Sequence, residues 1–171
     1  AQSEALMNMI GDTFLEYSAN GTIRSPSGNT DVEMAPHGVY PSQGDDSWIS
    51  IAVSADTEWH ALCKVAERDE WVKDERFSSQ VARWRNRKEL DELLANWTSS
   101  HDPWALSDRL QAMDVKAAPV TLARDLSGKK DFPNPDFHQT TNHQHIQRVP
   151  GPAARMDGEE PQIRLPPPDL G

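Results

Sequence analysis

The sequence has little of what would mark several common protein classes. Cys63 is its only cysteine, so no disulfide can form within the chain and a reducing, cytoplasmic location is expected. No apolar run approaches the ~20 residues of a membrane span, which argues against a membrane partner. Basic residues are also few, 17 against 27 acidic residues, for a net charge of −10. This balance argues against nucleic acids and anionic membranes as partners.

The segment around which the chain is organised reads as strand, turn, strand and helix. Val39 and Tyr40 form a short extended run, and a polar, glycine-containing turn follows. In the run from Trp48 to Val53 the isoleucines and Val53 alternate with smaller or polar residues, which predicts a strand with one apolar face. Asp56 is then predicted to cap a helix. The apolar face of that helix consists of Trp59, Leu62, Cys63 and Ala66.

Further helices are predicted on both sides of this unit. Residues 3–17 form a helix with an apolar stripe, and Asn20-Gly21 is its expected end. The stripe consists of Leu6, Ile10, Phe14 and Tyr17. This helix begins almost at the first residue, which suggests a chain that starts inside a larger protein.

Two more helix starts and a strand are indicated later in the chain. Asn86, with Glu89 three residues on, is typical of a capping box. Asp102 followed by Pro103 places a capping side chain before a proline in the first helical position. Residues 115–121 are predicted to form a short strand.

Proline, glycine and polar residues dominate the remaining segments. Residues 22–36 show neither helical nor strand periodicity, and residues 127–171 carry only single apolar residues, which cannot form a core by themselves. We therefore predict an entry helix and linker loop at 1–34, a small domain at 35–126 and an extended segment at 127–171. The fold class is α+β: a two-layer domain of antiparallel strands and helices, flanked by an N-terminal helix and an irregular, proline-rich tail.

No catalytic or metal site can be assigned from spacing alone. His138, His143 and His145 cluster without a zinc-type pattern, so a solvated loop is the better interpretation. Cys63 lies on a predicted apolar helix face, which favours a buried thiol over a nucleophile. His101 beside Asp102 is no triad without a fold that brings a nucleophile to it.

Three groups of segments, in order along nearly the whole chain, resemble the C-terminal portion of the class III CoA-transferases, the CaiB/BaiF family. The first group is Gly28-Asn29, 35–41 and 46–53. The second group is 74–77, 86–90 and 115–120, and the third is 149–152 and 164–171.

The resemblance implies a chemistry as well as a fold. Members of the family are dimers in which an Asp carboxylate takes the acyl group from an acyl-CoA as a mixed anhydride. That Asp and the main CoA-binding residues belong to the N-terminal half, which nothing in this sequence matches. The resemblance therefore implies the small domain plus a shortened return segment, inactive alone, with a coenzyme A thioester as family substrate and no covalently bound cofactor. Its expected partner is a second copy or a separately encoded N-terminal half.

One active-site element of the family has a counterpart here. In formyl-CoA transferase a mobile glycine-rich loop covers the site just before the first strand of the small domain. Residues 28–37 occupy the matching place, which makes Gly28, Asn29 and His37 the substrate-loop candidates. Residues 30–34 replace the glycines of that enzyme, so a linker that only connects two domains is the alternative.

Two other functions remain open. The α-methylacyl-CoA racemase branch has the same fold but moves a proton instead of an acyl group. A free-standing acidic binding module with the small-domain fold is the second alternative. An assay of the complete protein with a chiral acyl-CoA distinguishes the racemase from a transferase. The genomic sequence upstream of the chain distinguishes the binding module from a transferase, because a transferase requires an N-terminal half.

Overall fold

The computed structural model describes residues 2–122, 125, 138–141, 148–151, 158–159 and 162–163. The chain divides into two compact units, residues 1–120 and residues 121–171. Helices combined with small antiparallel sheets make the fold α+β, as the sequence predicted.

The first unit contains most of the regular structure. Its helices are α1 (Gln2–Met9), α2 (Gly11–Asn20), α3 (Asp56–Ala66), α4 (Asp69–Lys73), α5 (Gln80–Arg85), α6 (Arg87–Thr98) and α7 (Pro103–Gln111), with a 3-10 turn at Glu75–Phe77. Its strands are β1 (His37–Pro41), β2 (Trp48–Ala52) and β3 (Lys116–Pro119).

The three strands form one antiparallel sheet with β2 in the middle. The predicted hairpin is confirmed, with Tyr40 opposite Ile49. Ile49 and Ile51 are buried, whereas Trp48 on the other face is exposed, because successive side chains of a strand point to opposite faces. The helices cover the face that carries Ile49 and Ile51.

Aromatic rings fill the space between the helices. Trp59 on α3 stacks on Trp71 with ring centroids 6.4 Å apart, and Phe77 meets Trp59 edge-on at 6.1 Å. Trp71 also meets Trp97 of α6 edge-on at 6.0 Å. Trp59 is fully buried, as predicted from its helical spacing, and the cluster joins three helices and the 3-10 turn into one core.

A polar contact ties α6 to β1. The Tyr40 hydroxyl donates to Asp91 Oδ1 over 2.7 Å, and burial raises the pKa of both groups. Gly38 allows this contact, because a Cβ at position 38 would lie 2.9 Å from the Tyr40 hydroxyl oxygen.

Two of the three predicted caps differ in the structure. Ala55 is the N-cap of α3, and Asp56, the first helical residue, instead accepts a hydrogen bond from Arg83. Asn86 is at the N-cap of α6, but its side-chain amide donates backwards to the carbonyl of Ala82. A nearby tertiary donor and a preceding helix end therefore compete with local capping.

The third cap is confirmed. The Asp102 carboxylate accepts hydrogen bonds from the backbone N–H groups of Trp104 and Ala105, and Pro103 is the first residue of α7. The predicted strand after this helix is β3, whose last residue, Pro119, lies on an edge strand.

The predicted N-terminal helix is interrupted. Ile10 separates α1 from α2, and the helix ends as expected at Gly21, which is left-handed at φ 68°. Neither helix contains a buried residue. In the described part of the chain, no helix is long and apolar enough to cross a bilayer.

The second unit contains a two-stranded antiparallel sheet of β4 (His138–Thr140) and β5 (Arg148–Pro150). The backbone N–H of Ile163 donates to Gln139 Oε1 over 2.6 Å. His138 lies on β4. His143 and His145 lie outside the described residues.

Candidate functional site

The face of the first sheet that the helices do not cover is an ordered surface of small and polar residues. Antiparallel pairing aligns residues of the three strands in rows across this face. One row is His37, Ala52 and Lys116, and the next contains Ser50 and Ala118. These side chains are exposed or half-buried.

A cavity of about 470 Å³ lies against this face. Small residues form much of its wall, including Gly38, Ala52 and Ala118, and the polar side chains that line it are Asn29, His37, Ser50, Gln111 and Lys116. Within the described part of the chain, Lys116 is the one formally charged residue of this wall. Among the described residues no carboxylate lines this wall, and the charge of Lys116 is balanced by Glu58 beside it, so the wall suits a ligand that hydrogen-bonds.

The structure brings together two of the three predicted site residues. The carbonyl oxygen of Asn29 lies 2.6 Å from Nδ1 of His37, and both residues line the cavity. Gly28 does not line it, but shapes the turn that presents Asn29. The φ of Gly28 is 61°, and the N–H of Thr30 donates to the carbonyl of Ser27 over 3.1 Å.

Helix α5 holds the second half of the loop. Trp84 Nε1 donates to the carbonyl of Asp31 over 3.1 Å, Gln80 Nε2 donates to that of Glu33, and Arg83 Nε donates to that of Ala35 over 2.9 Å. Three donors from one helix therefore bind three alternate carbonyls of the loop.

The loop also has a cap of its own. Asp31 Oδ1 accepts hydrogen bonds from the backbone N–H groups of Glu33, at 2.7 Å, and Met34, at 2.9 Å. These backbone bonds hold the pKa of Asp31 below its usual value. Asp31 therefore stabilises a compact turn at the point where Trp84 also binds.

Arg83 is the centre of this anchor and is completely buried. Besides Ala35, it donates to the carbonyl of Phe77 over 3.2 Å and to Asp56 Oδ1 over 2.8 Å. Its guanidinium lies 5.4 Å from the ring centroid of Trp59. One buried cation thus connects the loop to the aromatic core.

Lys116 closes one edge of the cavity and was not predicted as a site residue. Its ammonium donates to Ser54 Oγ over 3.1 Å and forms an ion pair with Glu58. The alternation of β3 could have placed Lys116 beside Ala52 on the open face, but no motif marks it.

Cys63, Ser50 and the His101–Asp102 pair are each buried or engaged in structural contacts. The Cys63 thiol is buried, which raises its pKa to about 12, so it is not a thiolate at neutral pH. Ser50 Oγ donates to the carbonyl of Ala118 over 3.0 Å. The His101 and Asp102 pair is structural, because His101 Nδ1 lies 2.8 Å from the carbonyl of Trp97 and Asp102 caps α7.

No cluster of three His, Cys, Asp or Glu residues that could hold a metal ion occurs among the residues whose positions are described. Ser50 and His37 both line the cavity, but Ser50 Oγ donates to the carbonyl of Ala118 and Nδ1 of His37 lies against the carbonyl of Asn29, so within that same part of the chain the two are not hydrogen-bonded to each other. The arrangement can bind and orient a ligand.

The sequence and the fold both have relatives. A family model described as "CoA-transferase family III" matches residues 1–171. The chain is 32% identical over 126 residues to "Probable CoA-transferase Rv1866" of Mycobacterium tuberculosis, covering 74% of this chain and 16% of that protein. It is 31% identical over 129 residues to "Succinyl-CoA--D-citramalate CoA-transferase" of Chloroflexus aurantiacus, covering 75% and 32%.

A solved structure shares the fold. A CaiB/BaiF family protein from Brucella suis superposes with a TM-score of 0.79 at 22% identity, covering 95% of this chain and 42% of that one. The chain therefore spans less than half of that structure and no more than a third of the curated relatives just named.

Proposed function

Because the chain belongs to CoA-transferase family III, we propose that it is the C-terminal portion of an enzyme that transfers CoA between an acyl-CoA and a carboxylic acid. The observation that carries this proposal is the family match along all 171 residues. The share of each relative that the chain covers supports a missing N-terminal half.

In the proposed reaction, an Asp carboxylate of the N-terminal half attacks the thioester carbonyl and the C–S bond breaks. The acyl group is then held as a mixed anhydride and CoA leaves as the thiolate. The thiolate then attacks the aspartyl carbonyl and releases the donor acid, which leaves an aspartyl thioester. The acceptor carboxylate displaces the thiolate from that thioester and forms a second anhydride, and the thiolate attacks the acceptor's carbonyl, so that the new acyl-CoA leaves and the Asp carboxylate is restored. The present chain contributes the wall with Asn29, His37 and Lys116, and does not catalyse the transfer alone.

A small dicarboxylic acid is the substrate class that we propose for the acceptor. Two relatives carry the names of such transfers, the Chloroflexus protein above and "Succinyl-CoA:mesaconate CoA-transferase" of Haloarcula hispanica, which is 28% identical over 138 residues. Lys116 uses two of its three N–H donors on Ser54 and Glu58, and the third can donate to a carboxylate of the ligand.

The test is to incubate the chain with succinyl-CoA and mesaconate, and to add hydroxylamine, which traps an enzyme anhydride as a hydroxamate. We expect neither a new thioester nor a trapped anhydride from the chain alone. Both should form when the proposed N-terminal half is supplied. An anhydride trapped on the chain by itself would contradict the proposal.

A chiral 2-methylacyl-CoA is the matched control for the reaction type. Without an acceptor acid, a transferase leaves the configuration of the 2-methylacyl group unchanged. Racemisation by the completed protein, without thioester exchange, would replace the proposal with the racemase alternative.

We further propose that the chain associates through its N-terminal helices, with a second copy or with the N-terminal half. Leu6, Ile10, Phe14 and Tyr17 are each about half exposed or more, and apolar stripes of this kind are typical of interfaces. We propose a cytoplasmic location, consistent with the single buried thiol.

A further inference from the structure

The contact between His37 and Asn29 fixes the position of a proton. The Asn29 atom is a carbonyl oxygen, which can only accept a hydrogen bond. At 2.6 Å, Nδ1 of His37 must therefore carry the hydrogen. In the neutral ring this leaves Nε2 as an acceptor, because the two nitrogens of neutral imidazole have opposite roles.

Both partners of this hydrogen bond are held in place. His37 is the first residue of β1 and pairs with Ala52 of the central strand. Asn29 lies in the turn shaped by Gly28, and the following residues of its loop are bound by α5. The carbonyl of Asn29 is therefore presented by structure on both sides.

The other polar side chains of the wall have partners within the protein. Ser50 donates to Ala118, Gln111 donates to the carbonyl of Ala117 over 2.6 Å, and Lys116 is paired with Glu58. Apart from the exposed amide of Asn29, the polar side-chain atoms of the wall without a partner among the described residues are Nε2 of His37 and Oε1 of Gln111, and Nε2 is the one on a ring whose other nitrogen is already bonded.

We propose that the anchored loop locks His37 as the Nδ1–H tautomer, so that Nε2 accepts a hydrogen bond from an N–H or O–H group of the ligand in this cavity. The identity of the ligand rests on the proposed function, but the tautomer does not. Trp84 and Gln80 are positioning residues, because they act on His37 through the loop.

The tautomer can be measured by nitrogen-15 NMR of the histidine rings, since the protonated and unprotonated nitrogens resonate far apart. Spectra are recorded at about pH 8.5, well above the ordinary histidine pKa of about 6.5. We expect the downfield, unprotonated signal of His37 at Nε2. A downfield signal at Nδ1, or averaged signals, would overturn the proposal.

Trp84→Phe tests the anchor, because it keeps an aromatic ring and removes the N–H donated to Asp31. We expect the ring signals of His37 to move towards a mixture of tautomers. The amides of Glu33 and Met34 should exchange about fivefold faster, the factor that one net hydrogen bond supplies. Unchanged tautomer and exchange would contradict the role of the anchor.

Trp48→Phe is the matched control. It also removes an indole N–H bonded to an aspartate, over 2.9 Å to Asp46, at the far end of the same sheet face, and should leave His37 unchanged. Gln80→Glu is the second test of the anchor if Trp84→Phe does not fold, because it replaces the donor to Glu33 with an acceptor.

The ligand is tested with two acids of the same carbon skeleton, citramalate and mesaconate, and with coenzyme A. Citramalate carries a hydroxyl donor, and ionised mesaconate carries none. If the group that donates to Nε2 is the hydroxyl of the substrate acid, we expect the Nε2 signal to move with citramalate. If that group belongs to coenzyme A, we expect the signal to move with coenzyme A. An equal shift with mesaconate, or no shift with any probe, would overturn the acceptor role. None of these NMR measurements requires turnover, so they test the tautomer of His37 even if the chain does not take part in the proposed reaction.

Discussion

The N-terminal helices and the helices around the sheet carry the same kind of apolar stripe but differ in what covers it. On α3 and α6, Trp59 and Leu94 are fully buried, whereas Leu6 and Phe14 on α1 and α2 are 60% and 50% exposed. Periodicity indicates a helix with an apolar side, but burial depends on a neighbour that packs against it. The helices around the sheet have that neighbour within the described chain, whereas no described residue buries the stripe of α1 and α2.

The largest effect is expected in the core. Trp59→Ala removes a ring that contacts two other aromatic rings and Arg83, and should cost about 3–5 kcal/mol of unfolding free energy, measured by denaturant titration. Trp48→Ala on the exposed sheet face is the control and should cost less than about 1 kcal/mol. Equal losses would mean that the core is misassigned.

The next effect concerns the anchor of the loop. Arg83→Met keeps an apolar stem but leaves the buried carbonyls of Ala35 and Phe77 without this donor, at a cost of about 2–4 kcal/mol. Asp56→Asn keeps an acceptor oxygen on a side chain that is 54% exposed, so it should cost less than about 1 kcal/mol.

If Asp56→Asn is as damaging as Arg83→Met, the ion pair rather than the carbonyl contacts holds the guanidinium. Thermal unfolding of the two variants under identical conditions decides between these explanations.

A smaller, pH-dependent effect is expected at Tyr40 and Asp91. Burial raises the pKa of Asp91, so the folded state holds its proton more tightly than the unfolded state does. This contribution to stability falls as pH rises from about 3.9, the ordinary Asp value, through the raised folded value. The side chain of Asp91→Asn cannot titrate, so this variant should not lose stability over that pH range. Tyr40→Phe removes the hydroxyl donor and should lower the unfolding free energy by about 1–2 kcal/mol at neutral pH.

Denaturant midpoints at about pH 4 and pH 7 check both changes. Asp91→Asn should gain stability relative to the parent as pH rises. A loss of stability of Asp91→Asn relative to the parent between those pH values would mean that folding lowers the pKa of Asp91.

The smallest effect on stability is expected at the exposed stripe. Phe14→Ser should change unfolding of the core by less than about 0.5 kcal/mol, because the side chain is half exposed. It should nevertheless weaken self-association, measured by light scattering. Val81→Ser, at another exposed apolar residue, should leave association unchanged. A parent chain that is monomeric at all concentrations would contradict self-association.

The sequence predicted what depends on local periodicity. The alternation of residues 48–53 identified the buried face of β2, and the Asp102-Pro103 pair identified the start of α7, because these signals depend on neighbouring residues. Tertiary partners could not be predicted in this way. Nothing local marks Arg83 as buried, since its partner Ala35 lies 48 residues away.

The candidate site shows the same division. Gly28, Asn29 and His37 were found through the family resemblance, and the structure brings Asn29 and His37 together. Lys116 and Trp84 were missed, because one reaches the cavity through strand pairing and the other acts on a loop more than 50 residues away.

Amide hydrogen exchange of the intact chain is the most direct test of how the two regions differ. We expect that the sheet and its helices fold stably without a partner, whereas the N-terminal helices need one. In dilute solution we expect amides of α3, α6 and α7 to exchange only through global unfolding. Amides of α1 and α2 should exchange orders of magnitude faster, because short helices without packing are marginal in water. Protection of α1 and α2 should rise with chain concentration or with the N-terminal half. Protection of α1 and α2 equal to that of α6 in a dilute monomer would contradict the account.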